Sequence, residues 1–149
     1  MSADLRELYQ EIIIDHNRNP RHHYEMKEPT VQANGFNPLC GDKLTVYAKI
    51  LGDVVTELSF VGCGCAISQA SASLMTDSIN GKTIKEAHEL FHRFHRMLTQ
   101  NEENQLHGMD KLAVLAGVKA YPARVKCATL AWHTLEAALN KDTRIVKTE

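Results

Sequence analysis

The chain has 149 residues, 44% of them hydrophobic and 23% charged, with a formal net charge of −1 at pH 7. That length and apolar share suit one globular domain, 1–149, with a core of its own. The near-neutral balance excludes bulk attraction to nucleic acid or to an acidic membrane surface.

In chain order, Asp4-Leu5-Arg6-Glu7 fits a capping box. Leu5, Leu8, Tyr9, Ile12 and Ile13 follow at helical spacing, which predicts a first helix with one buried stripe. Asn19-Pro20 ends it, because a residue before proline avoids the helical region. Residues 17–38 hold three prolines, one glycine and little periodicity. They read as an irregular, mobile arm with one short edge strand near Thr30-Val31-Gln32.

Next, Leu44, Val46, Ala48 and Ile50 alternate with Lys43, Thr45, Tyr47 and Lys49. Gly52-Asp53 supplies a turn, and Val54, Leu58 and Phe60 share a face that Thr56 interrupts. This predicts a hairpin over 43–61. A turn at Gly52 places position 42 near position 62, which sets Cys40 and Asp42 beside the Gly62–Cys65 loop.

In that loop, Gly62-Cys63-Gly64-Cys65 joins the strand to a helix whose packed side is Ala66, Ala70, Ala72, Leu74, Met75 and Ile79. A cysteine opening a helix faces unpaired N–H groups, which favour its thiolate. Gly81 closes this helix and Thr83-Ile84-Lys85-Glu86 is a second capping box. Ala87, Leu90, Phe91, Phe94 and Leu98 form the buried side of the next helix. Thr99–Gly108 reads as polar loop, and Leu112, Leu115 and Ala116 as a short helix stopped by Gly117. Pro122 suits the first turn of a last helix, with Ala123, Cys127, Leu130, Ala131, Leu135, Ala138 and Leu139 on its core face. The charged tail 141–149 is expected to fray. Strands early and helices late give an α+β class: a small antiparallel sheet of about three strands packed by helices.

No apolar run is long enough to span a bilayer, and Met1-Ser2-Ala3-Asp4 does not open a signal peptide, so the expected location is cytoplasmic. Four cysteines in such a chain read as ligands or reactive thiols rather than as a disulfide framework. Cys40, Asp42, Cys65 and Cys127 are the candidate metal ligands, a donor set that suits zinc; the thiolates also suit an iron–sulfur cluster. Cys127 must arrive by tertiary packing. Cys63 stands beside Cys65 as an alternative ligand. Three thiolates and a carboxylate put four negative charges on a divalent ion. Arg124, three residues before Cys127 on one helical face, is placed to compensate them.

At these residues the chain resembles the IscU/NifU N-terminal family of iron–sulfur cluster assembly proteins, nearest its SufU branch. The motifs are Asn37-Pro38-Leu39-Cys40-Gly41-Asp42, Gly64-Cys65-Ala66-Ile67-Ser68 through Ala72-Ser73-Leu74-Met75-Thr76, and Pro122-Ala123-Arg124-Val125-Lys126-Cys127-Ala128-Thr129-Leu130-Ala131-Trp132. Leu8-Tyr9 to Asp15-His16 and Asn19-Pro20-Arg21 extend the likeness over nearly the whole chain. Lys126 stands where the IscU branch has histidine, Tyr121-Pro122-Ala123-Arg124-Val125 replaces that branch's Leu-Pro-Pro-Val-Lys, and the segment from Gly81 to Pro122 is longer. Cys63 departs from both branches and reads as tolerated rather than as a ligand.

The resemblance implies an α+β fold and a zinc site, or alternatively iron or a [2Fe–2S] cluster, at Cys40, Asp42, Cys65 and Cys127. It also implies a SufS-like cysteine desulfurase and downstream cluster assembly proteins as partners. Cys40 is then the expected sulfur acceptor, because it ends the arm whereas Cys65 and Cys127 are held by helices. Arg124 would stabilise its thiolate. A scaffold for a nascent cluster, and a structural zinc module, are the competing readings. His88, His92 and His95 lie at metal-binding helical spacing but read as a solvated face opposite Phe91 and Phe94, and His22-His23 in the arm as no site.

Overall fold

Four strands, β1 (Val31–Asn37), β2 (Asp42–Leu51), β3 (Val54–Cys63) and β4 (Val146–Lys147), form one sheet in the order β3-β2-β1-β4. The computed structural model describes residues 3–100, 109–142 and 144–148, with side chains from residue 9 onward. The side chains of the Asp4–Glu7 capping box, Leu5 and Leu8, and residues 101–108 of the Thr99–Gly108 segment, lie outside that description. Among the described residues, four α-helices, α1 (Ala3–Arg18), α2 (Ala66–Ile79), α3 (Ile84–Thr99) and α4 (Pro122–Leu139), and a 3-10 helix, Asp110–Ala120, accompany the sheet. The class is α+β, as the order of elements predicts.

The sheet has four described strands rather than about three, and its fourth breaks the antiparallel pattern. β4 runs parallel to β1, with Gly35 opposite Val146. A two-residue pairing in a charged tail leaves no periodic signal, so the 141–149 segment reads as frayed from sequence although it adds an edge to the sheet. The 17–38 arm differs in a similar way. Residues 31–37 of it are β1, an interior strand, not a short edge strand near Thr30. The inward positions of β1 are Ala33, Gly35 and Asn37, none of them large and apolar. A Cβ at Gly35 would stand 2.2 Å from Thr134 Oγ1 on α4. Close approach of that helix removes the bulky alternation by which a strand is recognised.

The β2–β3 hairpin turns at Gly52, whose φ of +64° is open to glycine at little cost. Its register carries one irregularity. Ile50 pairs with Val55 but Lys49 with Glu57, so Thr56 is the extra residue of a bulge. The bulge explains the broken alternation: Val55, rather than Val54, is fully buried, and Leu58 and Phe60 resume the inner face. It also moves the far end by a step, so that Lys43 pairs with Cys63 and Leu44 with Gly62. Asp42 therefore lies beside Gly64 and Cys65 rather than Gly62, the Leu51–Val54 pairing at the turn supplying one step of the difference and the bulge the other.

Helix α4 packs on β1 and β2, and α2 on β3, α1 and α4. The core between them includes Val46, Leu58, Phe60, Leu74, Leu130 and Trp132, all fully buried. Trp132 stacks on Phe94 with ring centroids 4.5 Å apart and donates from Nε1 to Ser71 Oγ at 3.2 Å. Such a stacked pair contributes about 1 kcal/mol beyond its buried area. Helix α4 is buried on almost every side from Cys127 onward, while Pro122, Ala123 and Arg124 are exposed. Ala123, expected in the core, is instead exposed in the first turn of α4. The 3-10 helix runs through Gly117 instead of stopping there.

Candidate functional site

Three segments meet at the end of the sheet where β1 turns into β2 and β3 runs into α2. The first is the turn 38–41 that links β1 to β2. It is closed by a bond from Gly41 N to Asn37 O of 2.8 Å and carries Gly41 at φ +72°. Cys40 sits in this turn, half-buried. Asp42 opens β2 and is fully buried. The second segment is the Gly64-Cys65 junction. Cys65 is the N-cap of α2, with φ −70° and ψ 166°, and its sulfur accepts from Ser68 N at 3.4 Å. The third is α4, which brings in Cys127, fully buried.

The donor atoms of Cys40, Asp42 and Cys127 all lie within 4.8 Å of one another. The two sulfurs are 3.1 Å apart. A buried carboxylate with no counter-charge is costly unless its oxygens are bonded. Here Oδ1 accepts the Cys65 backbone N–H at 2.8 Å and Oδ2 accepts Asn37 Nδ2 at 3.2 Å. Gly64 permits this arrangement: a Cβ there would lie 2.4 Å from Asp42 Oδ1.

Cys65 is adjacent to this trio without belonging to it. Its main-chain N–H binds Asp42, and its thiol accepts from Ser68 N. Burial pushes the Cys127 thiol up, and its hydrogen bonds with Cys40, Asp42 and Cys65 add to the shift. Arg124 reaches back over the same cluster. Its hydrogen bond to Cys127, followed by the thiolate charges of Cys65, Cys127 and Cys40, raises its guanidinium pKa. Two sulfurs and a carboxylate in a buried cluster, with a third thiol beside them, match in softness and number what a tetrahedral zinc ion takes. A cation there would also offset the burial cost of the thiolates.

Cys63 is exposed at the end of β3, opposite Lys43, and stands outside the three-donor group. Asn37 is the residue that sequence reasoning passed over. Besides Asp42 it bonds Cys127 Sγ at 3.5 Å, tying β1 to two donors at once. Its position in the Asn37–Asp42 motif was visible, but its role depends on the Asn37–Asp42 pairing of two strands. The arm histidines are pinned: His22 Nδ1 lies 3.2 Å from Thr76 Oγ1, and the His23 ring packs 4.9 Å from that of Phe60.

The α3 histidines do not form a uniformly solvated face. His92 is exposed, but His88 and His95 are half-buried, and His88 Nδ1 pairs with Glu136 of α4 at 2.6 Å. Phe91 lies three and four residues from His88 and His95, so it borders the stripe rather than opposing it. Among the described residues, no helix is long and apolar enough to cross a membrane.

The family model described as NifU-like N terminal domain matches residues 8–147. The chain is 39% identical over 141 residues, 95% of each sequence, to a protein of Bacillus subtilis (strain 168) named zinc-dependent sulfurtransferase SufU. It is 38% identical over 140 residues, 93% of this chain and 87% of the relative, to the iron–sulfur cluster assembly scaffold protein IscU of Streptococcus pyogenes serotype M1. Among solved structures, FiSufU from Fervidobacterium islandicum AW-1 superposes with a TM-score of 0.80 at 37% identity, covering 90% of this chain and 98% of the other. A NifU-like N-terminal domain from Brucella abortus gives a TM-score of 0.80 at 25% identity, with coverage of 93% and 96%.

Proposed function

The chain belongs to the family of NifU-like N terminal domains, and on that premise we propose that it is an iron–sulfur cluster assembly protein of the SufU type, taking sulfur from a cysteine desulfurase. The observation that carries this reading is the convergence of Cys40, Asp42 and Cys127 within 4.8 Å, with the Cys65 main chain bonded to Asp42. Cys40, Asp42, Cys65 and Cys127 would hold one zinc ion, which keeps bound thiolates deprotonated at neutral pH and protects them from oxidation.

Cys40 is the acceptor in this reading. It lies in a turn, whereas Cys65 caps α2 and Cys127 is buried within α4, so its side chain leaves the cluster with the least disruption. The Cys40 thiolate attacks the terminal sulfur of the desulfurase persulfide. A new sulfur–sulfur bond forms on Cys40 as the persulfide's own bond breaks, and the electron pair leaves with the desulfurase thiolate. Arg124, exposed and already directed at the sulfurs, stabilises the Cys40 thiolate before attack. Asp42 stays buried, fixed by Asn37 and by Cys65 N–H.

The relatives named IscU support a second reading, in which the same side chains hold a nascent [2Fe–2S] cluster as cargo. Desulfurase turnover, measured with and without the zinc-loaded chain, separates the two. The relay predicts a clear stimulation. Unchanged turnover together with a stable cluster on the chain would favour the scaffold.

A further inference from the structure

Away from the thiols, α3 and α4 enclose a second group of side chains with ligand chemistry. His133 lies six residues beyond Cys127, about 9 Å along the helix axis and on another face. The rings of His92, His95 and His133 surround Phe91, with centroids 5.5, 6.0 and 5.2 Å from it. His95 and His133 come from different helices, and their centroids are 5.8 Å apart. Two imidazoles on one tetrahedral ion, with metal–nitrogen bonds of about 2 Å, place their centroids roughly 5 Å apart. Among the described residues none of the three rings has a hydrogen-bonded partner, although His95 and His133 are half-buried. By contrast His88, next along the stripe, is held by Glu136.

We propose that His95 and His133 form a second metal site that takes a borderline divalent cation of the zinc, nickel or copper kind, with exposed His92, whose ring nitrogens are not gathered with theirs in this structure, turning in as third donor. Neutral imidazole is the preferred donor for these ions. Burial, and then the charge of His95, hold His133 below the ordinary imidazole value, so it offers a lone pair at neutral pH without first losing a proton. His92 is exposed and one turn before His95, free to swing onto the ion. An ion there would staple α3 to α4 beside the His88–Glu136 pair. The site is independent of the proposed sulfur chemistry.

The test uses the full chain with its thiol site filled by zinc, titrated with nickel chloride in a calorimeter. One further equivalent should bind, with zinc content unchanged. His95→Gln or His133→Gln should weaken it at least about tenfold, and His92→Gln less, while His88→Gln leaves it intact. In the wild-type chain, paramagnetic nickel should broaden the imidazole resonances of His95 and His133 together, which decides the matter even where a variant folds poorly. No second equivalent, one that survives both substitutions, or broadening centred on His22 and His23 would overturn the site.

Discussion

Helices α2 and α3 begin in nearly the same way and do different work. The N-cap of α2 is Cys65 at φ −70° and ψ 166°, and that of α3 is Thr83 at φ −73° and ψ 161°. Each side chain accepts the backbone N–H three residues on, from Ser68 and Glu86. At α3 the cap is complete: Glu86 reciprocates to Thr83 N at 3.0 Å. At α2 the cap is a sulfur, a weak acceptor at 3.4 Å, with no acidic residue in the first turn. A serine would cap better. The thiol trades capping strength for a donor beside the Cys40–Asp42–Cys127 cluster, and the missing acid keeps further negative charge away from it. Where a local rule is broken and the strongest capping residue is absent, chemistry is the reason to look for.

The largest effect follows from separating these two uses of Cys65. Cys65→Ser retains an N-cap, so the metal-free chain should keep its stability within about 0.5 kcal/mol. Its zinc affinity should fall at least about a hundredfold if the proposed site loses Cys65 as its thiolate ligand. Equilibrium dialysis and thermal unfolding read the two quantities on one sample. Cys63→Ser in the same assay should match wild type.

A second, smaller effect belongs to the loop ahead of the cap. Gly64→Ala forces a Cβ against Asp42 Oδ1, a contact of 2.4 Å that must be relieved. Displacing the carboxylate should cost about 1–3 kcal/mol of stability and weaken zinc about tenfold. An unaltered zinc affinity would mean that Asp42 is not a ligand.

At α3 the matching change has no chemistry to disturb. Thr83→Ala should cost about 1 kcal/mol, lowering the unfolding midpoint by about 2–4 °C, with zinc binding untouched.

The smallest effect concerns how α2 is held along its length. His16 is 2% exposed, and its Nδ1 lies 2.7 Å from Ser73 Oγ on α2, which also accepts Arg21 N–H. Burial, then the charge of Arg21, lowers the His16 pKa from 6.5, and burial lowers His133 likewise. An imidazole that titrates lower when folded is protonated first in the unfolded chain. Its contribution to stability is therefore complete above pH 6.5 and is lost as the pH falls through the folded value. Denaturant unfolding between neutral and mildly acidic pH should show this decline, and His16→Asn should make it shallower.

The parts of the site that local geometry controls were legible in the sequence. A two-residue turn at Gly52 and an alternating strand carry Asp42 to the Gly62–Cys65 junction, and a cysteine after glycine at a helix start reads as a cap with a function. The Thr56 bulge changed the partner of Asp42 but not the convergence. The remaining pieces depend on packing between distant segments. Cys127 reaches Cys40 across 87 positions, and Asn37 joins it only because β1 is an interior strand. That strand was hidden because α4 crosses too close to Gly35 for large side chains. His133 is one half-buried histidine on a nearly all-buried helix, and nothing in its spacing pairs it with His95.

The central claim is that Cys40, the donor in the turn, takes the sulfur while the capping and helical thiols hold the site. The direct measurement is mass spectrometry of peptides after incubation with desulfurase and cysteine under non-reducing conditions. The account predicts one extra sulfur on the peptide containing Cys40, much reduced in Arg124→Ala although that variant keeps its zinc. Extra sulfur on Cys65 or Cys127 with Cys40 unmodified would contradict it.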